Sequence, residues 1–293
     1  MSTTSKPLYG ILLVLCAGLL LASHDGVSKY LTHIYPLIMV IWARYFIQTV
    51  AMVLLFFPKM RWAILRTRRP WLQLLRAISL LSISFLFIAG LRYIPLAEAT
   101  AVMFLAPLIV TVLSAVVLHE QVSKGQWVAV SIGFLGVMFI VRPGGDLFTP
   151  AILLPLGGSI CFAIYQLLTR RLASTDHAVT SNFLSGLFGT LVLTALLPGQ
   201  YTLDVPSLDL TFMLVLGILA MTAHMLLTMA LKYSTAATLA PFTYGQIIFA
   251  GVVGYFTFGQ LPDALSILGV CIISCSGLAV AYLQHHDHGQ SRI

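Results

Sequence analysis

Ionisable and strongly polar residues interrupt long apolar runs at only a few points in this chain, and chemistry would be concentrated there. His24 and Asp25 break LYGILLVLCAGLLLASHDGVS, Arg44 breaks PLIMVIWARYFIQTVAMVLLFF, Glu98 opens LAEATAVMFLAPLIV and His224 sits within LVLGILAMTAHMLLTMAL. Neutral polar groups join them: Tyr165 with Gln166, Thr222 with Thr228, and Thr243, Tyr244 and Gln246. An Asp or Arg near the centre of a bilayer costs about 2.5–3.5 kcal/mol on insertion scales, so such residues mark paired, gating or proton-carrying sites. Imidazole beside carboxylate is the usual intramembrane proton relay, which gives His24 and Asp25 that chemistry. With about 1.5 Å of rise per residue, Asp25 and Arg44 lie about 7–8 Å apart in depth, a gap that an arginine side chain can cover. The spacing predicts an Asp25–Arg44 ion pair, serving either as a static fastener or as part of a gate. Asp25, Arg44 and Glu98 are therefore the coupling or gating candidates. His24, Tyr165, Gln166, His224, Thr228, Thr243, Tyr244 and Gln246 are the substrate-cavity candidates, each neutral one reading equally as an interhelical hydrogen bond.

The elements that carry these residues follow from composition. Hydrophobic residues make up 59% of the chain, charged residues 9%, and the mean hydropathy is +0.98. A soluble domain has about 25% charged residues, so lipid must cover most of this surface. Ten apolar spans can be drawn: Leu8–Ser28, Pro36–Phe57, Leu72–Leu91, Ala97–Leu118, Gly125–Val141, Ala151–Leu168, Val179–Leu197, Leu210–Leu231, Ala236–Phe258 and Ala264–Leu283. Stretches of about 20 apolar residues cross hydrocarbon as helices. The expected class is an all-α membrane protein.

The block from Leu91 to Val141 returns at Leu231, shifted by 140 residues, with the same order of basic-Tyr pair, Ala-rich entry, long span, polar elbow and second span. The tripeptides Leu105–Pro107 and Leu239–Pro241 recur at a shift of 134. Two copies are implied, 8–141 and 151–283, followed by a polar tail at 284–293. With the N-terminus inside, twelve Lys and Arg fall on the inner side and three (Lys29, Arg92, Arg142) on the outer. The positive-inside rule then puts both termini in the cytoplasm. Five spans per copy is an odd number, so the second copy enters from the opposite face and the repeat is inverted.

The basic excess thus reads as topology, not as a nucleic-acid surface. In KMRWAILRTRRPWLQLLR the six cations and two Trp rings mark an inner-leaflet segment. Cys16, Cys161, Cys271 and Cys275 lie in apolar runs and read as packing residues. His285, His286 and His288 lack the fixed geometry of a metal site, so no metal or cofactor is expected. Met221, Met225 and Met229 form a stripe that fits either an adaptable site or core packing. Gly133 with Gly136, Gly251 with Gly254, and Gly269 with Ser276 and Gly277 permit close helix approach. Pro107 and Pro241 each free a backbone carbonyl and are hinge candidates.

Ten spans in two halves, Arg44 followed by an aromatic residue, the run PLAEATAVMFLAPLIVTVLSAVVLHE from Pro95 to Glu120, and the Gly133–Gly136 ending resemble the EamA family of the drug/metabolite transporter superfamily. The resemblance implies two inverted five-helix repeats around a central cavity lined by spans 1, 3, 4, 6, 8 and 9, with 2, 5, 7 and 10 as braces. Gln260 stands where the second copy would carry a counterpart of Glu120, so Glu120 reads as an elbow cap. The resemblance also implies a secondary transporter of the inner membrane, a monomer or homodimer, exporting a small amphipathic metabolite such as an amino acid or derivative. Import of a vitamin-like or nucleoside-related solute such as a flavin is the alternative. No GxxxxGK[ST] loop is present, so a proton or an exchanged solute would drive it. His119 and Glu120 give H-E-Q-V-S without the second His of a zinc protease, and G-x-S-x-G is absent. An enzyme is therefore not expected, nor is a channel, which would need rings of like residues.

Overall fold

The computed structural model describes residues 7–117, 122–141, 149–172, 175–202, 204–233, 239 and 242–290, apart from the side chains at 7, 114, 117, 170, 228, 231, 232, 281 and 284–290. Every regular element among them is a helix: α1 (Pro7–Ile34), α2 (Leu37–Met60), α3 (Pro70–Gly90), α4 (Leu96–Met103), α5 (Ala106–Val117), α6 (Lys124–Val141), α7 (Leu153–Leu172), α8 (Ala178–Leu196), α9 (Ser207–Tyr233), α10 (Gly245–Phe258) and α11 (Ala264–Gln290), with short 3₁₀ turns at Arg61–Leu65 and Pro150–Ile152. Eight stretches are long and apolar enough to cross a bilayer, and two shorter apolar helices, Gly245–Phe258 and Ala264–Val280, accompany them. Large apolar side chains such as Leu54, Leu191, Ile248 and Phe256 are exposed, while His24, Asp25, Arg44, Arg76 and Glu98 are buried. That distribution inverts the one water imposes, and it makes this a multi-pass membrane protein.

Two basic residues lie deeper than charge counting places them. α1 continues six residues past Ser28, and Lys29, expected outside the span, is buried within it. Its Nζ donates to the carbonyls of Leu91 and Ile94, 2.7 Å each. A cation at the carbonyl end of a helix satisfies groups that have no intrahelical donor. Arg76, expected among the cations of the near rim, is 2% exposed inside α3.

The fourth span is two helices, not one. The break falls at Phe104–Leu105, where the Phe104 N–H reaches Thr100 and Ala101 and the next turn restarts from the Leu105 carbonyl. Proline has no N–H and its ring clashes with the carbonyl four residues back, which sets the break just ahead of Pro107. Pro241 lies outside the described residues, as do His119 and Glu120. Tyr244, three residues beyond Pro241, forms a turn ahead of α10.

Packing follows a rule. α1 lies on α9 as α7 lies on α3; α1 meets α10 as α7 meets α4 and α5; α2 meets α9 as α8 meets α3; α2 pairs with α8 and α6 with α11. Exchanging the halves of the chain carries these main pairings onto one another. Small residues set the closest approaches, since apolar side chains gain little from helix association in lipid. A Cβ on Gly269 would lie 2.6 Å from the Gly136 carbonyl, and one on Gly189 or Gly217 would meet Tyr45 or Ile47. The Ser276 hydroxyl closes the α6–α11 seam by donating to the Ala129 carbonyl. Gly251 and Gly254 are looser than their sequence pairing implies, with nearest contacts of 3.9 and 3.6 Å. The cysteines are free; Cys16, Cys271 and Cys275 are exposed, so they are not core packing residues.

Candidate functional site

A polar centre forms where α1, α2, α9 and α10 approach one another. α1 supplies His24 and Asp25, 4% and 6% exposed. His24 Nδ1 lies 2.9 Å from Asp25 Oδ1, within hydrogen-bond distance; toward an ionised carboxylate it is Nδ1–H that donates. His24 Nε2 is buried without a partner. From the other half, Gln246 Nε2 approaches Asp25 Oδ2 at 3.4 Å. Gly18 leaves room for this, since a Cβ there would sit 3.5 Å from that of Gln246.

Asp25 and Arg44 do not form the expected ion pair. The carboxylate is taken up by His24 and Gln246, whereas the guanidinium points to α3. Arg44 Nη1 donates to Ser84 Oγ, and the Arg44 cation lies 4.9 Å from the Tyr45 ring centre. Tyr45 and Ser84 hydroxyls are 3.0 Å apart. Depth alone made the pair possible for a long side chain, but helix rotation, which depth cannot give, turns the two side chains to different neighbours. Arg44 Nε has no partner. His224 on α9 is within electrostatic reach of Arg44, Arg76 and His24.

Arg76 is the residue sequence reasoning missed. Nε donates to Thr169 at 2.8 Å, Nη1 to the Ser181 carbonyl and Ser185 Oγ at 2.7 Å each, and Nη2 to Tyr165 at 2.7 Å and Asn182 at 3.0 Å. All five guanidinium donors are therefore used, and the cation sits 4.5 Å from the Tyr165 ring centre. The signal was in the sequence as Thr180, Ser181, Asn182 and Ser185 in an otherwise apolar span. Tyr165 is thereby a partner of Arg76, while Gln166 is half-buried on the same helix.

The remaining candidates scatter. Glu98, 4% exposed in the first turn of α4, has Lys29, Asp263 and the Ser266 hydroxyl around it, and its Oε2 is unpartnered. Lys29 is one turn beyond Asp25 on α1, so this group lies outward of the centre. Tyr244 wedges against Gly277, its ring 5.1 Å from Phe104. Thr243 is half-buried beside it, and the Thr228 side chain falls outside the described set. Met221 and Met225 pack with Met52, Ile64 and Phe183, so the methionine stripe serves as core there. No cluster of three or more His, Cys, Asp or Glu with metal-binding geometry occurs among the described residues.

Each end of the bundle carries a latch between the halves. At the far end, the Tyr35 hydroxyl donates to Asp209 at 2.6 Å, and Arg92 donates to the Tyr35 carbonyl at 3.1 Å. The hydrogen bond to Asp209, together with burial, pushes the Tyr35 phenol up to about 12. At the near end, Asp176 accepts from the Thr67 hydroxyl, the Arg68 N–H at 3.1 Å and Gln73 Nε2 at 2.8 Å. Burial acts to raise the Asp176 carboxyl, but the donors from Thr67, Gln73 and Arg68 outweigh it and hold the group below its ordinary 3.8. A depressed carboxyl stabilises the fold above its unfolded value and loses that contribution as pH falls through the folded one. Thermal unfolding between pH 5 and 2 is expected to show an acid-side loss near and below about 3.8 that is smaller in Asp176→Asn.

The comparisons agree with this architecture. A crystal structure 17% identical to the chain superposes with a TM-score of 0.64 over 97% of this chain and 99% of the other, which shows the fold. Among curated relatives, the riboflavin transporter of Vibrio cholerae is 30% identical, covering 100% of this chain and 98% of its own. The S-adenosylmethionine uptake transporter of Rickettsia prowazekii is 28% identical over 88% and 87%. The pseudopaline exporter CntI of Pseudomonas aeruginosa is 22% identical over 92% and 95%. The family model of EamA-like transporters matches residues 8–142 and again 149–282. Matched by that model over almost its full length, the chain belongs to the EamA-like transporter family.

Proposed function

We propose that the protein is a secondary transporter of the inner membrane that moves one small amphipathic metabolite by alternating access. The observation that carries this reading is the buried polar centre built by both halves: His24 and Asp25 from α1, Arg44 from α2, His224 from α9 and Gln246 from α10. In a bundle otherwise closed by apolar contacts, polar groups at the junction of two repeats are where a solute exchanges water for protein. Ten spans in two inverted repeats, 8–141 and 151–283, fit the two family matches and the interchange of packing pairs. Both termini then face the cytoplasm, and rocking of the repeats would open and shut the latches in turn.

Substrate and direction are read from relatives of both kinds. Export of an amino acid or derivative fits the relative named for pseudopaline export. Import of a nucleoside-related solute fits the relative named for S-adenosylmethionine uptake, and a flavin solute fits the one named for riboflavin; both are more identical to the chain than the exporter is. Counterflow in proteoliposomes across amino acids, S-adenosylmethionine and riboflavin, with and without a pH gradient, tests the proposal. Exchange of one class is expected; ion conduction with no solute exchange removes the carrier reading.

Coupling through Asp25 has its own test. A protonatable carboxylate joined to His24 makes the centre sensitive to pH. Asp25→Asn is expected to flatten the pH dependence of exchange by about ten-fold across one unit on either side of the optimum. An unaltered pH profile removes Asp25 from coupling.

A further inference from the structure

We propose that Arg44 is the anchor for a carboxylate on the transported solute. The inference rests on the carrier reading and narrows its substrate class to metabolites that carry a carboxylate.

Two buried guanidiniums lie in the interior, and they differ in one respect. Arg76 has every N–H donor committed to protein oxygen atoms and is complete as it stands. Arg44, 6% exposed, donates from Nη1 to a serine hydroxyl, and its Nε–H is buried without a partner. Among the described residues no carboxylate is found within salt-bridge distance of it; Asp25 is instead 2.9 Å from His24. A buried charge without a counter-ion is unfavourable, and a buried donor without an acceptor adds to that cost. The Nε and one Nη of a guanidinium form an edge that matches the two oxygens of a carboxylate.

Groups from both halves surround it: His224 of α9 and His24 of α1 are each within electrostatic reach of Arg44. α9 comes close to α2 here, since a Cβ on Gly217 would lie 3.1 Å from the Arg44 carbonyl.

The test uses the full chain in lipid nanodiscs, with binding followed by thermal shift and by intrinsic tryptophan fluorescence, so that it does not depend on transport. The probes are matched pairs: S-adenosylmethionine and its carboxamide, L-methionine and L-methioninamide, L-tryptophan and L-tryptophanamide, with riboflavin as a solute lacking a carboxylate. In the wild type at least one acid should bind ten-fold or more tightly than its amide. Arg44→Gln should bring the acid-to-amide ratio to near one. Arg44→Lys, which keeps the charge without the Nε–H edge, should give an intermediate ratio and provides a folded comparison should the Gln variant be lost. Equal binding of acid and amide, tighter binding of riboflavin than of any acid, or absence of binding by every acid overturns the proposal. Failure of exchange with acid binding intact would instead count against the carrier reading.

Discussion

Arg76→Ala is expected to cost the folded bundle about 4.5 kcal/mol. Five hydrogen bonds from a charged donor are lost at about 1.5 kcal/mol each, taking the lower end of the range, while about 3 kcal/mol of burial penalty is recovered with the charge. The loss exceeds the recovery because Ser185, Tyr165 and the Ser181 carbonyl remain buried with no water to turn to, while Thr169 and Asn182 are half-buried. Arg76→Lys should recover less than half, since an ammonium has three donors and no fork. Unfolding followed by fluorescence-detected size exclusion after heating in detergent would show it. Wild-type melting of Arg76→Ala would mean that the clamp joining α3, α7 and α8 contributes nothing.

Gly269→Val should be nearly as severe. Any Cβ there meets backbone on the facing helix, 2.6 Å from the Gly136 carbonyl and 3.2 Å from the Ile140 nitrogen, and backbone cannot rotate out of the way. α6 and α11 must separate, and the Ser276–Ala129 hydrogen bond goes with them. Overpacking of this kind costs about 1–3 kcal/mol, and valine, with two further carbons, belongs at the upper end. Gly251→Ala is the contrast: its nearest neighbour is 3.9 Å from the new carbon, so melting should stay within error of the wild type. Equal loss in both variants would show that glycine is needed for something other than close approach.

Sequence made the broad architecture legible because lipid imposes a simple rule on composition. Long apolar runs could only be helices, and the recurring layout pointed to two copies. What stayed hidden depended on rotation about helix axes and on the reach of long side chains. Arg76 and Lys29 were assigned to rims because topology rules count charges and ignore whether a stem bends inward. Asp25 and Arg44 were close enough in depth for a long side chain to bridge, yet each faces a different helix. His24, Asp25, Gln246 and His224 were readable as rare polar groups in apolar runs, whereas Tyr165 and Tyr244 proved to be held by Arg76 and by Gly277. The break near Pro107 was readable from proline chemistry alone.

The two latches are built to different standards of redundancy. The far-end link between tyrosine and aspartate is a single bond between side chains, so loss of either group, as in Tyr35→Phe, removes it completely. The near-end carboxylate receives donors from a hydroxyl, a backbone amide and a side-chain amide, and removing one leaves two. A fold whose halves exchange so closely in packing is therefore unequal in how its two latches tolerate mutation: one opens on a single substitution, and the other degrades gradually.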